Sequence, residues 1–268
     1  AMFPHYPLAN AKNGVWHKFT FGNADFFMLD NRAQRAPNMA AFRQTAEGDL
    51  LFRPDSAHLI LQANAQIDGE LQMDWLIREL QASTATWKFI GTSTTFNPAF
   101  SRAVIEYALY LEQTGLILPI PLRSIAMLAA DAWGGFPHSV ARLVQAVHDA
   151  GIENVIMLSG DSHTAAIDDG GNSLFPEIMA GGLDRSNSRI LALAELFGVT
   201  AWNRGGQNTA RNNFNSHYGR LTVFGDDSVR MELIDEFGEL ITSYTQKAGH
   251  RVAATKLMVA PHRLNLGD

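Results

Sequence analysis

The chain has 268 residues, enough to bury the core of one large domain or two small ones. Apolar residues make up 46% and charged residues 18%, against a usual charged share of about 25%, so we expect a globular chain with part of its surface covered by a partner. The net charge of −6 argues against nucleic acid or an anionic membrane as that partner, and the lack of cysteine excludes thiol catalysis, disulfides and zinc–thiolate sites. No apolar run reaches the roughly 18 residues that span a bilayer, and the first residues, AMFP, do not resemble a signal peptide.

The first predicted element is a hairpin. Side chains alternate in character from residue 15 to 21, Gly22 and Asn23 are a turn signal, and an apolar run follows to residue 29. Residues 33–67 have few clear periods, which predicts a long loop with short helical pieces.

Helices and strands alternate in the middle of the chain. Apolar stripes at helical spacing predict helices over residues 69–82 and 101–113, with a strand at 87–90 between them. Ser139 is the predicted N-cap of another helix, which ends just before Gly151 and leads into a further strand. Helix followed by strand is typical of α/β architecture, so we expect a layered sheet with covering helices.

The segment from residue 155 to 163 is the most informative in the chain. Its apolar run stops at Gly160 and is followed by Asp161 and His163. Such a run predicts a strand buried on both faces, in a sheet that binds ligands at the carboxyl ends of its strands. Because residues two apart at a strand end point to the same side, the carboxylate and the imidazole are expected to converge on a divalent or trivalent metal ion. The alternative is a turn in which Asp161 caps a helix and His163 lies at the surface.

The last part of the chain is predicted to contain loops and short strands. Residues 168–172 and 203–216 have turn-rich or polar compositions that predict loops. The remaining predicted elements are a strand at 176–182, a helix at 188–197, a hairpin with strands at 221–224 and 229–234, and a strand at 241–244.

Five segments, taken together, resemble the PhoD-type alkaline phosphatases, a branch of the calcineurin-like metallophosphoesterases. They fall in the family's order, roughly between residues 15 and 165. The segments are 19–32 (FTFGNADFFMLDNR), 69–72 (GELQ) with Trp75 and Leu76, 83–90 (STATWKFI), 131–137 (DAWGGFP) and 154–163 (NVIMLSGDSH). The resemblance implies metal-dependent hydrolysis of phosphate mono- or diesters, iron and calcium as the metal ions, and a secreted or periplasmic location.

The chain also departs from the family's pattern. The family's upstream Gly-Asp and Asp-Asp-His-Glu-like motifs, which supply most of its metal ligands, do not occur in this sequence. The expectation is therefore a single domain over residues 1–268 that corresponds to the C-terminal half of the metallophosphoesterase α/β/β/α sandwich. Of the family's metal ligands, only Asp161 and His163 can be carried over. A sheet without its other half would expose an apolar face and an edge strand, so a homodimer is also expected.

Two further residues are candidates for contact with the phosphate. Arg32 follows the second strand of the predicted hairpin and could grip a phosphate ester bidentately, or it could form a structural ion pair with Asp30. His217, in a polar loop before a strand, could complete a metal shell or donate to the phosphate, or it could simply be exposed.

Two other functions stay open. Gly160, Asp161 and Ser162 are similar to the nucleophile motif of GDSL-type serine esterases, although the Asp-x-x-His motif expected downstream is absent and position 163 is not apolar. The non-enzymatic alternative is a truncated half-fold with little activity of its own, which works as a dimer or with a separate N-terminal half.

Overall fold

The computed structural model describes residues 14–46, 50–62, 66–67, 70–115, 122–162, 164–182, 202–205 and 216–253. Its strands are β1 (His17–Phe21), β2 (Ala24–Met28), β3 (Phe42–Gln44), β4 (Leu50–Phe52), β5 (Gln66–Ile67), β6 (Glu70–Leu71), β7 (Trp87–Gly91), β8 (Val155–Ser159), β9 (Ala165–Asp169), β10 (Pro176–Ala180), β11 (Arg204–Gly205), β12 (His217–Phe224), β13 (Ser228–Asp235) and β14 (Leu240–Lys247). Its α-helices are α1 (Gln72–Ala82), α2 (Pro98–Gln113), α3 (Leu122–Ala129) and α4 (Pro137–Asp149), and 3₁₀ turns span Asn38–Ala41 and Trp133–Gly135.

A seven-stranded sheet forms the centre of the structure, in the order β1-β2-β7-β8-β10-β9-β11. Strands β2, β7, β8 and β10 run parallel, and β1 and β9 pair antiparallel with their neighbours. In register, Phe26 of β2 lies beside Phe89 of β7, which lies beside Ile156 of β8. The four parallel strands therefore end at one common edge of the sheet.

Alternate side chains of each central strand serve two different cores. On one face, Phe27, Ile90 and Met157 pack with apolar side chains of α1 and α4. Helices α2 and α3 pack on Ala166 and Met179 of that same face. Continuous apolar runs are required because both faces of these strands are covered.

A small antiparallel sheet, β12-β13-β14, covers the second face. Val229, Met231 and Leu233 of β13 point inward and pack on Phe89 and Ile156. Each inward residue alternates with an outward one, as period-two geometry requires. The result is a layer of helices, a large sheet and a small sheet, which confirms the predicted α/β class.

The edge strand β1 carries the most exposed aromatic side chains of the large sheet. Phe21 is 78% exposed and Phe19 37% exposed. Phe19 stacks on Phe26 with ring centroids 4.7 Å apart, and Phe26 stacks on the buried Phe89 at 4.9 Å. A ladder of aromatic rings thus runs from the core out to the sheet edge.

Most predicted elements are present, with shifted ends. The first hairpin turns at Gly22, whose φ of 61° suits glycine, and the strand at 155–159 is as predicted. Helix α4 begins at Pro137, not after Ser139, because proline is favoured at the first helical position. The Ser139 hydroxyl instead accepts from the Ile60 N–H at 3.1 Å.

Three loop predictions were wrong, and one of them, at 203–216, contains the two-residue strand β11. Residues 33–67 contain the hairpin of β3 and β4 in addition to the helical piece that was predicted. The supposed loop at 168–172 begins inside β9, where Asp168 is fully buried. The predicted helix at 188–197 lies outside the described residues. Within the described part of the chain, no helix is long and apolar enough to cross a membrane.

Candidate functional site

The carboxyl edge of the parallel strands gathers three segments of the chain. Residues 29–32 follow β2, residues 92–97 follow β7, and residues 160–162 follow β8. The strand pairing continues past the ends of the strands, with Leu29 N–H donating to Gly91 O at 2.9 Å and Thr92 N–H donating to Leu158 O at 2.8 Å. Side chains far apart in sequence are therefore held close together.

Arg32 joins two carboxylates at this edge. Its guanidinium donates to Asp131 through one terminal nitrogen and to Asp161 through the other. The Arg32 side chain is 41% exposed and that of Asp161 55% exposed, while Asp131 lies deeper at 17%. The arginine thus has a fixed inner partner and an open outer partner.

Asp131 is the anchor of this charged cluster. It pairs with Arg35 at 2.5 Å and accepts from the Asn38 amide at 2.7 Å. Burial alone would raise the pKa of Asp131, but the hydrogen bonds from Arg35 and Asn38, and the charges of Arg35 and Arg32, hold the pKa below its usual value. Asp131 is therefore a carboxylate that orients Arg32.

The backbone beside the cluster is held by buried polar contacts. The Asn31 amide nitrogen donates to the hydroxyls of Thr92 (3.1 Å) and Thr94 (2.8 Å), and its oxygen accepts from the Ser93 hydroxyl at 2.5 Å. Trp133 donates through its indole N–H to Thr92 Oγ1 at 2.9 Å. These contacts tie the residues next to Arg32 and Asp131 to the loop after β7.

Asp161 does not continue the strand as expected. Strand β8 ends at Ser159, and Asp161 has a φ of 68°, in the left-handed region. Strand alternation therefore cannot be used to place Asp161 and His163 on one side, because alternation holds only for extended backbone. His163 lies outside the described residues, so its predicted convergence with Asp161 stays a prediction.

His217 is buried, not exposed in a loop. It is the first residue of β12, only 2% exposed, and its Nε2 accepts from the Gly182 N–H at 3.1 Å. Gly182 follows β10, so the imidazole lies at the same carboxyl edge of the sheet. A Cβ on Gly182 would lie 2.1 Å from Cε1 of His217, so the ring fits only against glycine. While Nε2 accepts this bond, it cannot bind a metal ion.

The described residues alone do not fit a metal ion. Among them, no group of three or more histidine, aspartate or glutamate side chains is placed to hold one. Asp161 contributes one carboxylate, and that carboxylate contacts Arg32. A catalytic metal ion ordinarily takes three or more protein ligands, so the described part of the chain supplies too few.

Ser162 and Asp30 have local partners. The Ser162 hydroxyl lies 3.0 Å from the Met179 sulfur, which is a weak acceptor and no base, so this contact gives the serine-esterase alternative no support. Asp30 accepts from the Ala33 N–H at 3.1 Å. The ion-pair partners of Arg32 are Asp131 and Asp161, not the predicted Asp30.

One buried acid at this edge was missed by the sequence analysis. Glu177, the second residue of β10, is fully buried. Burial, reinforced by the charge of Asp168, raises the pKa of Glu177 to about 7 against the lowering effect of hydrogen bonds from Ser159, Phe96 and Asn97. The available signal was a glutamate inside an apolar run predicted to be a strand.

Comparison with known proteins gives the family of the chain. A family model of PhoD-like phosphatases matches residues 1–251. Alkaline phosphatase D of Bacillus subtilis (strain 168) is 26% identical over 172 residues, covering 62% of this chain and 25% of that protein. The match thus spans about a quarter of the length of this curated relative.

Two solved structures also share similarity with the chain. The alignment with a structure of PhoD covers 87% of this chain and 40% of the PhoD chain, with 15% identity and a TM-score of 0.49. The alignment with the purple acid phosphatase PPD1 from yellow lupin (Lupinus luteus) seeds covers 91% of this chain and 34% of the PPD1 chain, with 13% identity and a TM-score of 0.41. Because the family model matches residues 1–251, which is most of the chain, the chain belongs to the PhoD-like phosphatase family.

Proposed function

We propose that the chain hydrolyses phosphate mono- or diesters at the carboxyl edge of its large sheet. The observation that carries the proposal is the position of Arg32, half exposed at that edge and held between Asp131 and Asp161. Membership of the PhoD-like phosphatase family supports the same reaction class. The substrate is a small phosphate ester, and the net charge of −6 argues against nucleic acid or an anionic membrane as a partner.

The first role of the cluster is to present a guanidinium to the phosphate. Asp131, bound by Arg35 and Asn38, keeps one terminal nitrogen of Arg32 in place. The other nitrogen contacts the more exposed Asp161, where an incoming phosphoryl oxygen can compete as acceptor. A guanidinium oriented in advance loses little freedom when it binds, which favours stabilisation of the charge that develops on the phosphate.

The proposed hydrolysis depends on metal ions, as the resemblance to the family implies. Asp161 and His163 are the proposed ligands, and iron and calcium are the proposed ions. The described residues do not fit such an ion by themselves, and the proposed role of Arg32 requires no metal ion. His217 is proposed to hold the backbone of Gly182 at the same edge, since its buried ring accepts from the Gly182 N–H and is not open to a substrate.

A second candidate is a chain with little activity of its own that acts as a homodimer. Two observations favour it. The described residues offer a metal ion a single exposed carboxylate, that of Asp161, and the edge strand β1 exposes Phe19 and Phe21. An uncovered aromatic edge favours pairing with another chain. Light scattering at micromolar concentration tests the dimer; a stable species of 29.4 kDa would reject it.

Hydrolysis of p-nitrophenyl phosphate and of bis(p-nitrophenyl) phosphate tests the reaction, with elemental analysis of the same preparation and a parallel assay in chelator. We expect Arg32→Ala and Asp161→Ala each to lower kcat/KM at least about tenfold without loss of fold. The matched controls are Arg142→Ala and Asp74→Ala, which remove an ion pair of similar exposure on α4 and α1. Equal activity of all four variants would reject the site, and no turnover by the wild-type chain would reject the function.

A further inference from the structure

Glu177 connects two strand ends through its carboxylate. One oxygen accepts from the Ser159 hydroxyl at 2.5 Å and from the Phe96 N–H at 2.8 Å, and the other accepts from the Asn97 N–H at 2.9 Å. Ser159 is the last residue of β8, and Asn97 caps α2 by accepting from the Phe100 N–H at 3.1 Å. A single buried side chain therefore joins β8, β10 and the loop after β7.

Both connected segments lead directly to the charged cluster. Ser159 is two residues from Asp161. The loop after β7 holds Asn31, next to Arg32, through Thr92 and Thr94. The same loop binds the segment that carries Asp131, because the Trp133 N–H donates to Thr95 O at 3.1 Å. Displacement of this loop or of the end of β8 would change how Arg32 meets its two carboxylates.

We infer that Glu177 is a positioning residue of the proposed phosphoesterase site, and that its ionised carboxylate holds the ends of β7 and β8 so that Arg32 faces Asp161. The inference rests on the proposed function and assigns that site a pH-sensitive support. Glu177 touches no substrate in this arrangement and acts through the segments that it joins.

The charge state of Glu177 decides whether these contacts can all form. As a carboxylate it accepts from all three donors. As a neutral acid it must itself find an acceptor, and the nearby one is the Ser159 hydroxyl, which would then turn toward Ile178 O, 3.4 Å away. The charged group that faces Glu177 from β9 is Asp168, its partner in the strand register. With a pKa of about 7, Glu177 changes state near neutral pH.

The test compares wild-type, Glu177→Gln and Glu232→Gln chains in p-nitrophenyl phosphate hydrolysis, with kcat and KM measured from about pH 5.5 to about pH 8.5. Glu232 is the matched control, a buried glutamate of the small sheet that pairs with Arg220 and Arg230. We expect the wild-type kcat to fall on the acid side with a midpoint near 7, while KM changes little. Glu177→Gln should lower kcat at least about tenfold and lose this acid limb, and Glu232→Gln should keep both.

An unchanged kcat or an unchanged acid limb in Glu177→Gln overturns the inference. If that variant does not fold, Ser159→Ala replaces it: loss of a donor to the carboxylate raises the pKa of Glu177, so the acid limb must move to higher pH. An acid limb that stays in place in Ser159→Ala also overturns the inference.

A second readout separates this inference from the proposed function. In ¹⁵N NMR spectra of the wild-type chain, the amides of Asn97 and Asp161 should titrate together with a midpoint near 7. In Glu177→Gln both should be flat. A chain that hydrolyses nothing but gives this titration rejects the function and keeps the positioning role. An Asp161 amide that does not follow Glu177 rejects the positioning role, whatever the activity.

Discussion

The stability of the fold should depend on pH through Glu177, independently of any activity. Its pKa is about 7 in the folded chain, against 4.5 for an ordinary glutamate. A group whose folded pKa is raised adds stability that is fully present below the unfolded pKa and is lost as the pH rises through the folded pKa. Between pH 4.5 and about 8.5 the wild-type chain should therefore lose about 3 kcal/mol through this one side chain, at about 1.4 kcal/mol per pH unit.

Glu177→Gln removes the titration and keeps the size of the side chain. The free energy of unfolding of the variant, minus that of the wild type, should rise by about 3 kcal/mol over this pH range. Any free energy that the variant loses because its amide faces the Asn97 N–H is the same at every pH. The test is therefore the change of the free-energy difference with pH, and not the size of that difference at one pH. Urea denaturation followed by circular dichroism at four pH values measures it.

Glu232→Gln is the control of opposite sign. Hydrogen bonding from Arg220 lowers the pKa of Glu232, so its contribution to stability is present above the ordinary glutamate pKa and is lost as the pH falls. A Glu177→Gln difference that is constant from acid to alkaline pH would refute the assigned pKa and the reasoning built on burial.

Two further predictions concern packing around buried polar groups. His58 is 1% exposed and stacks on Phe136 with ring centroids 4.5 Å apart, and neither of its ring nitrogens has a partner among the described residues. Burial lowers the pKa of His58. The stability of the wild-type chain should therefore fall as the pH drops below about 6.5. His58→Phe should raise the free energy of unfolding by about 1 to 3 kcal/mol and flatten that acid loss in urea denaturation; equal pH slopes in the two chains would contradict it. Gly182→Ala should lower the free energy of unfolding by about 1 to 3 kcal/mol, because the new Cβ would clash with His217. Gly160→Ala is the control: no atom lies within 4 Å of its Cβ, so it should cost less than about 1 kcal/mol. Equal thermal unfolding midpoints of the two variants would refute the clash.

The sheet and the common carboxyl edge of its parallel strands could be predicted because continuous apolar runs specify buried strands. The segments around Phe89 and Ile156 are apolar on both faces, and both faces are covered. The pairing of Arg32 with Asp131 could not be predicted, since it depends on where a segment 99 residues away is packed. Periodicity gives the elements and not their contacts.

The errors at Asp161 and Asp168 have different physical origins. A short carboxylate can accept from neighbouring backbone N–H groups, which lets aspartate occupy positions that composition assigns otherwise. Asp168 accepts from Gly170 N–H (2.9 Å), Asn172 N–H (3.0 Å) and Ser173 N–H (3.1 Å), so it is buried at full hydrogen-bonding capacity where a polar loop was predicted. Asp161 takes a left-handed backbone just past the strand, which ends the alternation that the prediction assumed.

The parallel arrangement of the large sheet has a consequence for the order of folding. Arg32 lies 99 residues from Asp131 and 129 residues from Asp161, so the charged cluster can form only after long loops have closed. Strands β12, β13 and β14 follow one another and pair with their sequence neighbours, which is the pattern of fast-forming local contacts. During refolding we therefore expect the small sheet to be protected from hydrogen exchange early, and the edge that carries Arg32 and Asp161 to be among the last regions to acquire its native form.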